Sequence, residues 1–431
     1  MGIIAQKRLF GWKEIENLGE LERLRLALKY LSDGALLRVL DKERGKGRDD
    51  YPVEGMWNAL VAGVVYQHPS VESLRRELAR NGQLRWACGL SSVPPSWAFT
   101  RFLKKLARHS ELVAEIFETL VSRLQEQLPE FGKHLAHDGK ALSSHGRADG
   151  SGKKPDGRRE REANVGVKTH RRVKGDGTAY EKVTTWFGFR AHLLVDSVYE
   201  LPVARKITKA SDAECPVAHE LLDHVKARHK GILSRCETYS ADREFDDKKL
   251  HKKLWDENGI KAAIPARELW HNSQTRLVDG QRQVAYNEGG EVFCHCPKSA
   301  EAHRMAFAGL EAQRGTLKYR CPAIHKGTSC AGFAQCKLHQ GIRIPLEQDR
   351  RIFTALARAT CGWEKAYKRR SAVERVNSRL DQSFGFERHF IRGLKKMQLR
   401  VDLALGVMLA MALGRIKEKQ KEKMRSLVQA A

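Results

Sequence analysis

Three acidic residues occupy positions where carboxylates commonly bind metal ions. Asp138 ends the short extended segment 134–137, Asp242 ends a second short segment that begins at Thr238, and Glu374 lies in a long helical pattern. Magnesium prefers carboxylate oxygens and retains water, and two such ions about 4 Å apart promote in-line displacement at phosphorus. If the three carboxylates converge, they predict metal-dependent cleavage of phosphodiester bonds.

Glu374 lies on a polar strip of its predicted helix. At about 100° per residue, Tyr367, Arg370, Asn377 and Asp381 fall within about 60° of it. The strip is flanked by an apolar stripe of Val373, Val376, Leu380 and Phe384 and by a basic stripe of Lys368, Arg375 and Arg379. This pattern would direct a carboxylate toward a metal beside a phosphate backbone. The alternative is a surface glutamate balanced by neighbouring arginines.

The segments around the two aspartates predict an α/β fold, a mixed sheet with helices packed on it. We expect strands at 182–189, 191–195, 201–207, 238–241 and 260–264, and helices at 212–229 and 245–257. A lone aspartate after a strand is usually a turn residue. The assignment of Asp138 and Asp242 as catalytic acids therefore depends on both of them following short strands of one mixed sheet. For Asp138 the nearest substitutes are Asp149 and Asp196.

The remaining pattern divides the chain into four expected parts. Residues 1–130 form a helical N-terminal domain, 131–265 the first part of the sheet domain, 266–350 a cysteine-rich insertion, and 351–431 further helices with a tail. Helices are predicted at 349–360, 363–384 and 394–419. Segment 145–177 is rich in glycine and basic residues, which predicts a long loop able to clamp DNA.

The charge balance indicates a polyanionic partner. Lysine and arginine exceed the acidic residues enough to give a net charge of +26, with a pI near 9.8, and nucleic acid is the polyanion that such a surface most often binds. Two helices around the turn 88–95 are compatible with a helix-turn-helix, in which Lys104, Lys105 and Arg108 would face phosphates. A plain helical bundle with a solvated basic face is the alternative.

No targeting segment is recognisable, so we expect a cytoplasmic, nucleoid-associated protein. The longest apolar run, residues 403–413, is about half the length that a bilayer requires and predicts a buried helix. An odd number of cysteines, nine, favours free or metal-bound thiols over disulfides. Five of them fall in the insertion: Cys294, Cys296, Cys321, Cys330 and Cys336. They suggest a structural Zn²⁺ site, although the spacings are not paired C-x₂-C and reduced, packed cysteines remain the alternative.

Several of these motifs resemble those of bacterial insertion-sequence transposases of the DDE type. Their glutamate signature is Tyr, two residues, Arg, three residues, Glu, six residues, Lys, and it is matched by Tyr367, Arg370 and Glu374, with Asp381 at the Lys position. Asp138-Gly139-Lys140 resembles the first acidic motif, and residues 240–245 resemble the second. Residues 186–192, 209–212 and 74–102 also resemble family regions, and the motifs stand in the family's order over about residues 50–415.

The resemblance implies an RNase H-like catalytic domain. Asp138, Asp242 and Glu374 would bind two Mg²⁺ ions, and Tyr367 and Arg370 would position the phosphate. Arg375 or Arg379 would replace the missing Lys as a contact to DNA, joined by Lys140. The partner would be double-stranded DNA, the terminal repeats and target of the element, bound by a homodimer. Two alternatives stay open: a non-catalytic DNA-binding relic, and a nuclease of the same fold that does not join strands.

Overall fold

The computed structural model describes residues 21–46, 49–146, 148, 160–173, 175, 178–270, 275–296, 298–299 and 301–427. The helices are α1 (Leu21–Tyr30), α2 (Gly34–Arg44), α3 (Val53–Val65), α4 (Val71–Arg80), α5 (Gly82–Ala87), α6 (Ser96–Arg108), α7 (Ser110–Gln127), α8 (Glu214–Arg228), α9 (Lys230–Arg235), α10 (Lys248–Lys252), α11 (Pro322–Lys326), α12 (Cys361–Lys368), α13 (Ser371–Phe384) and α14 (Leu394–Lys417). The strands are β1 (His134–Ser143), β2 (Asn164–Val173), β3 (Ala179–Asp196), β4 (Leu201–Lys209), β5 (Thr238–Ser240), β6 (Lys261–Ala263), β7 (Arg276–Leu277), β8 (Val284–Tyr286), β9 (Val292–His295), β10 (Ala302–Arg304), β11 (Ala306–Glu311), β12 (Thr316–Arg320) and β13 (Ile342–Pro345).

The chain forms two compact units. A helical unit comprises Met1–Gln127, Leu142–Phe189 and Ser378–Ala431, and a sheet unit comprises Leu128–Ala141 and Arg190–Asn377. Because the boundaries fall inside β1, β3 and α13, these three elements contribute residues to both units.

The sheet unit contains the mixed α/β sheet that the sequence predicted. Its strand order is β4-β3-β1-β5-β6, in which β5 pairs in parallel with both β1 and β6. Leu135, Tyr239 and Ala263 are fully buried in these three central strands. Helix α8 packs on β4, and the short helix α12 packs on β5 and β6. The expected RNase H-like class, a mixed sheet flanked by helices, is confirmed.

The helical unit is organised around α14. This helix is buried on all sides over most of its length, which is typical of a helix enclosed by other helices, and it packs against α1, α3, α6 and α7. The prediction of a buried helix at 403–413 is therefore confirmed, as is the helical character of the described part of residues 1–130. No helix in the described part of the chain is long and apolar enough to cross a membrane.

Three predictions of local structure were wrong. The single helix expected at 363–384 is divided by a turn at residues 369–370 into α12 and α13. Segment 145–177 was expected to be a loop, but residues 164–173 form β2, which pairs antiparallel with residues 179–188 of β3. Alternating valines, including the exposed Val165 and Val167, supply β propensity that the glycine and charge content concealed. Residues 349–360 were expected to be a helix but form turns, because Arg351 and Arg358 are held in a buried ion-pair network described below.

Close approach of α14 to α1 requires a glycine at position 414. A Cβ atom there would lie 2.6 Å from Leu26 Cδ1 and 2.7 Å from Tyr30 Cδ2, whereas a Cβ at Gly406 would meet Leu31 at an ordinary 3.8 Å. Gly414→Ala must therefore displace packed side chains. Gly406→Ala gains helix propensity of up to about 1 kcal/mol.

We expect the two substitutions to act in opposite directions on thermal stability. Gly414→Ala should lower the midpoint of thermal unfolding, and Gly406→Ala should leave it unchanged or raise it. Differential scanning calorimetry of the full chain measures both. Equal effects of the two variants would contradict the close approach of α14 to α1.

Candidate active site

The parallel register of β1 and β5 brings Asp138 and Asp242 side by side. His134, Leu135 and Ala136 pair with Thr238, Tyr239 and Ser240 respectively. Continuing that register by two residues places Asp138 opposite Asp242. Neighbouring strands lie about 4.8 Å apart, and the two residues therefore lie together at the carboxyl end of β5.

The local backbone fixes each aspartate differently. Asp138 lies within β1 and is 7% exposed. Asp242 follows the end of β5 and accepts a hydrogen bond from the Glu244 backbone N–H at 2.9 Å, which caps a 3₁₀ turn at Arg243–Phe245. One carboxylate is therefore held by the strand and the other by the turn.

An apolar layer underlies both aspartates. His137 is fully buried, its Nδ1 lies 2.5 Å from the Tyr239 hydroxyl, and its ring packs on Phe245. Burial lowers the pKa of His137 well below its usual value, and burial likewise lowers the pKa of His192 to about 3. These imidazoles are neutral at physiological pH, so they supply shape and hydrogen bonds and add no positive charge beside the aspartates.

Glu374 projects from the exposed side of α13. Val373, Val376 and Leu380 are fully buried, as the helical wheel predicted, and the Glu374 side chain is 51% exposed. Its carboxylate forms an ion pair with Arg370 one turn earlier. Tyr367 stacks on Trp363 with ring centroids 5.0 Å apart and lies beneath the Arg370 guanidinium.

Arg370 links the three acids electrostatically. Burial by itself would lower the pKa of Arg370, but Glu374, Tyr367, Asp138 and Asp242 raise it above its usual value. Glu374 is in direct ion-pair contact with Arg370, and Asp138 and Asp242 lie within electrostatic range of the same guanidinium.

The donor set of this site fits a hard divalent cation. Its ligands would be carboxylate oxygens, which Mg²⁺ prefers over nitrogen or sulfur. Among the described residues, no three acidic, histidine or cysteine side chains are already arranged around one point that could hold a metal ion. Because Arg370 pairs with Glu374, metal binding requires Glu374 to exchange this partner.

The structure also places the other predicted residues. Asp149 lies outside the described residues, and Asp196 is buried at the end of β3, where it accepts backbone hydrogen bonds from Gly132 and Tyr199 at 2.8 and 2.6 Å. The structure therefore does not favour Asp149 or Asp196 over Asp138 as the first catalytic carboxylate. Arg375 donates to Glu200 Oε1 at 2.8 Å and remains half-exposed.

Sequence reasoning missed a fourth carboxylate at this site. Glu214, in the first turn of α8, forms a largely buried ion pair with Arg190. A Cβ atom on Gly139 would lie 2.7 Å from Glu214 Oε1 and 3.0 Å from Arg190 Cδ. The glycine after Asp138 therefore leaves room for this pair. The sequence signal that could have identified Glu214 is its position just after residues 209–212, a segment that resembles a region of the family.

A second missed feature stabilises the turn that carries Asp242. Asp246 accepts hydrogen bonds from Arg351 at 3.0 Å, Arg358 at 2.8 Å and His251 at 2.9 Å, and its side chain is fully buried. Burial by itself would raise the pKa of Asp246, but the His251 hydrogen bond and the Arg358 charge lower it. These ion pairs join the Asp242 turn to the segment that precedes α12 and α13.

A helix of the helical unit presents a basic and aromatic face. Trp97, Arg101, Lys104 and Arg108 recur at helical spacing along α6, while Phe99, Phe102 and Leu106 on its other side are buried. The Arg101 guanidinium lies 4.9 Å from the centre of the exposed Trp97 ring. The structure confirms the two helices around the turn 88–95, α5 and α6.

Comparison with known proteins identifies the class of this chain. A family model described as a transposase DDE domain matches residues 131–410, and a second, described as a transposase domain, matches residues 14–105. The chain therefore belongs to the transposases with a DDE domain and is a DNA-cleaving enzyme of that class. No curated protein matches the sequence.

Among solved structures, a piggyBac transposase synaptic complex with hairpin DNA is similar to this chain. The two sequences are 14% identical, and the match covers 95% of this chain and 85% of that one. The TM-score is 0.28, which is too low for residues to be compared between them.

We expect Asp246 to be essential for stability. Asp246→Ala leaves the buried Arg358 without its carboxylate and leaves Arg351 with Glu288 as its remaining carboxylate; removal of one partner from a buried ion pair typically costs about 3–5 kcal/mol. The free energy of unfolding in urea measures this loss. The exposed pair Glu72–Arg75 supplies the control, since Glu72→Ala should change stability by less than about 1 kcal/mol. Similar losses of unfolding free energy in Asp246→Ala and Glu72→Ala would contradict the proposed contribution of the Asp246 ion pairs to stability.

Proposed function

We propose that this transposase cleaves DNA at the terminal repeats of an insertion sequence and joins the ends to target DNA, using Asp138, Asp242 and Glu374 as its catalytic carboxylates. The observation that carries the proposal is the strand register that sets Asp138 beside Asp242. The ion pair of Glu374 with Arg370, whose pKa is also raised by Asp138 and Asp242, supports it. The family supplies the reaction class.

The three carboxylates would hold two Mg²⁺ ions. When bound, the ions activate a water molecule or a DNA 3′-hydroxyl and stabilise the leaving oxygen. Asp138 and Asp242 would be fixed ligands, because β1 and the 3₁₀ turn set their positions. Glu374 would complete the site on releasing Arg370, and its exposure leaves its rotamer free to do so.

Arg370 would then bind the scissile phosphate. Its guanidinium pairs with Glu374 and lies within electrostatic range of Asp138 and Asp242, and a planar guanidinium matches two phosphate oxygens. Tyr367, held flat against Trp363, would fix the guanidinium from below. In this proposal the same cation balances the acids before DNA binds and contacts the phosphate afterwards.

The remaining contacts to DNA would come from basic residues of both units. Lys104 and Lys105 on α6 would contact phosphates beside the exposed Trp97, and Lys140, Arg375 and Arg379 would contact the backbone near the catalytic acids. We further propose that two copies of the chain act together, each on one end of the element, in the cytoplasm at the nucleoid.

Removing any one catalytic carboxylate should abolish cleavage while DNA binding persists. Asp138→Asn, Asp242→Asn and Glu374→Gln each lose several kcal/mol of transition-state stabilisation, or roughly 10³-fold or more in rate. The substrate is duplex DNA containing the repeats that flank the reading frame, and the readouts are cleavage, strand joining and binding by gel shift.

The control is Glu364→Gln, which alters an exposed glutamate on the neighbouring helix α12. It should cleave at the normal rate. If the unmodified protein bound the repeats but did not cleave them, it would be a DNA-binding relic. If it cleaved them but formed no joined products, it would be a nuclease. Normal cleavage by any of the three acid variants would overturn the assignment of that residue.

Replacing Arg370 should separate its two roles. Arg370→Ala removes the counter-ion that competes for Glu374, so less Mg²⁺ should be needed for half-maximal activity. The maximal rate should nevertheless fall by roughly 10²-fold, because the phosphate loses its guanidinium. Arg370→Lys should restore part of the rate, since it keeps the charge and loses the planar contact. An unchanged Mg²⁺ requirement would contradict the competition.

A further inference from the structure

The insertion between Asp242 and Glu374 contains two small antiparallel sheets. One has the order β10-β9-β8-β7 and the other β11-β12-β13. They share an apolar core that includes Val284, Tyr286, Leu317 and Ile344. These strands are only two to six residues long, and domains built from so little regular structure are commonly stabilised by a metal or by disulfides.

All five cysteines of the insertion line one small cavity. Cys294 lies in β9 and Cys296 directly follows it, Cys321 caps α11, and Cys330 and Cys336 flank a 3₁₀ turn. The cavity volume is about 10 Å³, which is close to that of a single water-sized sphere. The cavity can therefore hold one atom surrounded by sulfur.

The spacing of two sulfurs fits shared coordination. Cys330 Sγ and Cys296 Sγ lie 3.8 Å apart, whereas a disulfide requires about 2.05 Å. Two thiolates on one tetrahedral Zn²⁺, each bonded at about 2.3 Å, lie roughly 3.8 Å apart. The observed separation, at which the Cys330 thiol donates to Cys296 Sγ, also matches the distance between two ligands of the same ion.

The His303 side chain lines the same cavity. His303 is the cross-strand partner of Cys294, so both side chains lie on one face of the sheet. Its Nε2 is buried without a hydrogen bond and lies 3.6 Å from Glu301 Oε2, so the imidazole already has an acidic partner. The rest of the lining combines apolar groups such as Phe333 and Leu338 with His295 and Thr328.

From these observations we propose that the insertion binds one structural Zn²⁺ through Cys296, Cys330 and two of Cys294, Cys321 and Cys336. No three of these side chains are yet arranged to hold an ion, so binding would draw the turns carrying Cys330 and Cys336 inward. With four thiolates the ion has no open position, which marks a structural site. Through Cys296 and Cys330 the ion would join the end of β9 to the segment that precedes the 3₁₀ turn at Phe333–Gln335.

The zinc site is independent of the proposed magnesium chemistry. Its ligands are sulfur atoms, which select Zn²⁺ over Mg²⁺, and its role is to stabilise the insertion. The experiment therefore measures metal content and stability and requires no DNA substrate. Failure of the zinc proposal would leave the assignment of the three acids unchanged.

The test is the metal content of the full chain purified without chelators. We expect one equivalent of zinc by mass spectrometry, and on replacement by Co²⁺ the intense absorption of thiolate-bound cobalt. Cys296→Ser and Cys330→Ser should each lose the metal and lower the unfolding temperature. Among the serine variants of Cys294, Cys321 and Cys336, two should also lose the metal, and the third should keep it.

Cys361→Ser provides the matched control, because Cys361 is exposed and lies outside the insertion. It should retain zinc and normal stability. Absence of stoichiometric zinc, with all five thiols free to react, would show packed reduced cysteines and overturn the proposal. A mass lower by two hydrogens would show a disulfide and also overturn it. Full zinc content in Cys296→Ser or Cys330→Ser would exclude those ligands.

Discussion

The pairing of β1 with β5 is the interaction on which the site depends. These strands are 104 residues apart in sequence at the paired positions His134 and Thr238, and their parallel alignment sets the two aspartates side by side. Because side chains alternate along a strand, a slip of one residue would turn one aspartate to the opposite face. The buried residues Leu135 and Tyr239 help to fix that register, since a slip would remove both from their packed positions.

Bringing three carboxylates together creates a repulsion that the fold must balance. The adjacent imidazoles of His137 and His192 are buried and neutral, so they offer no positive charge. Arg370 supplies it. Its position at the junction of α12 and α13 lets one guanidinium act on all three acids. The half-exposed ion pair with Glu374 exchanges more readily than a buried one would, which leaves Glu374 able to bind a metal.

Buried charge also explains the irregular segment between the insertion and α12. Arg351 and Arg358 point inward to Asp246, with further contacts from Arg351 to Glu288 and from Arg358 to the Ile264 carbonyl. Buried guanidinium groups require such partners. A regular helix at 349–360 would not direct both arginines into this network, so the turns follow from tertiary ion pairing. The same contacts connect the end of the insertion to the turn that carries Asp242.

The sequence by itself determined the elements whose patterns are strong and local. The amphipathic stripe of α13, the apolar run of α14, the strands around Asp138 and Asp242, and the order of the acidic motifs were all predicted from residue types and spacing. Each depends on side chains a few positions apart, which periodicity records directly.

Tertiary structure decided what depends on residues distant in sequence. The pairing of β2 with β3, the turns at 349–360, the Glu214–Arg190 pair beside Gly139 and the Asp246 network involve partners that no local pattern identifies. Arg370 illustrates the difference. Its spacing to Glu374 was visible in the sequence, but only folding brought Asp138 and Asp242 to the same guanidinium, because strand register and helix placement are set by burial across the whole sheet.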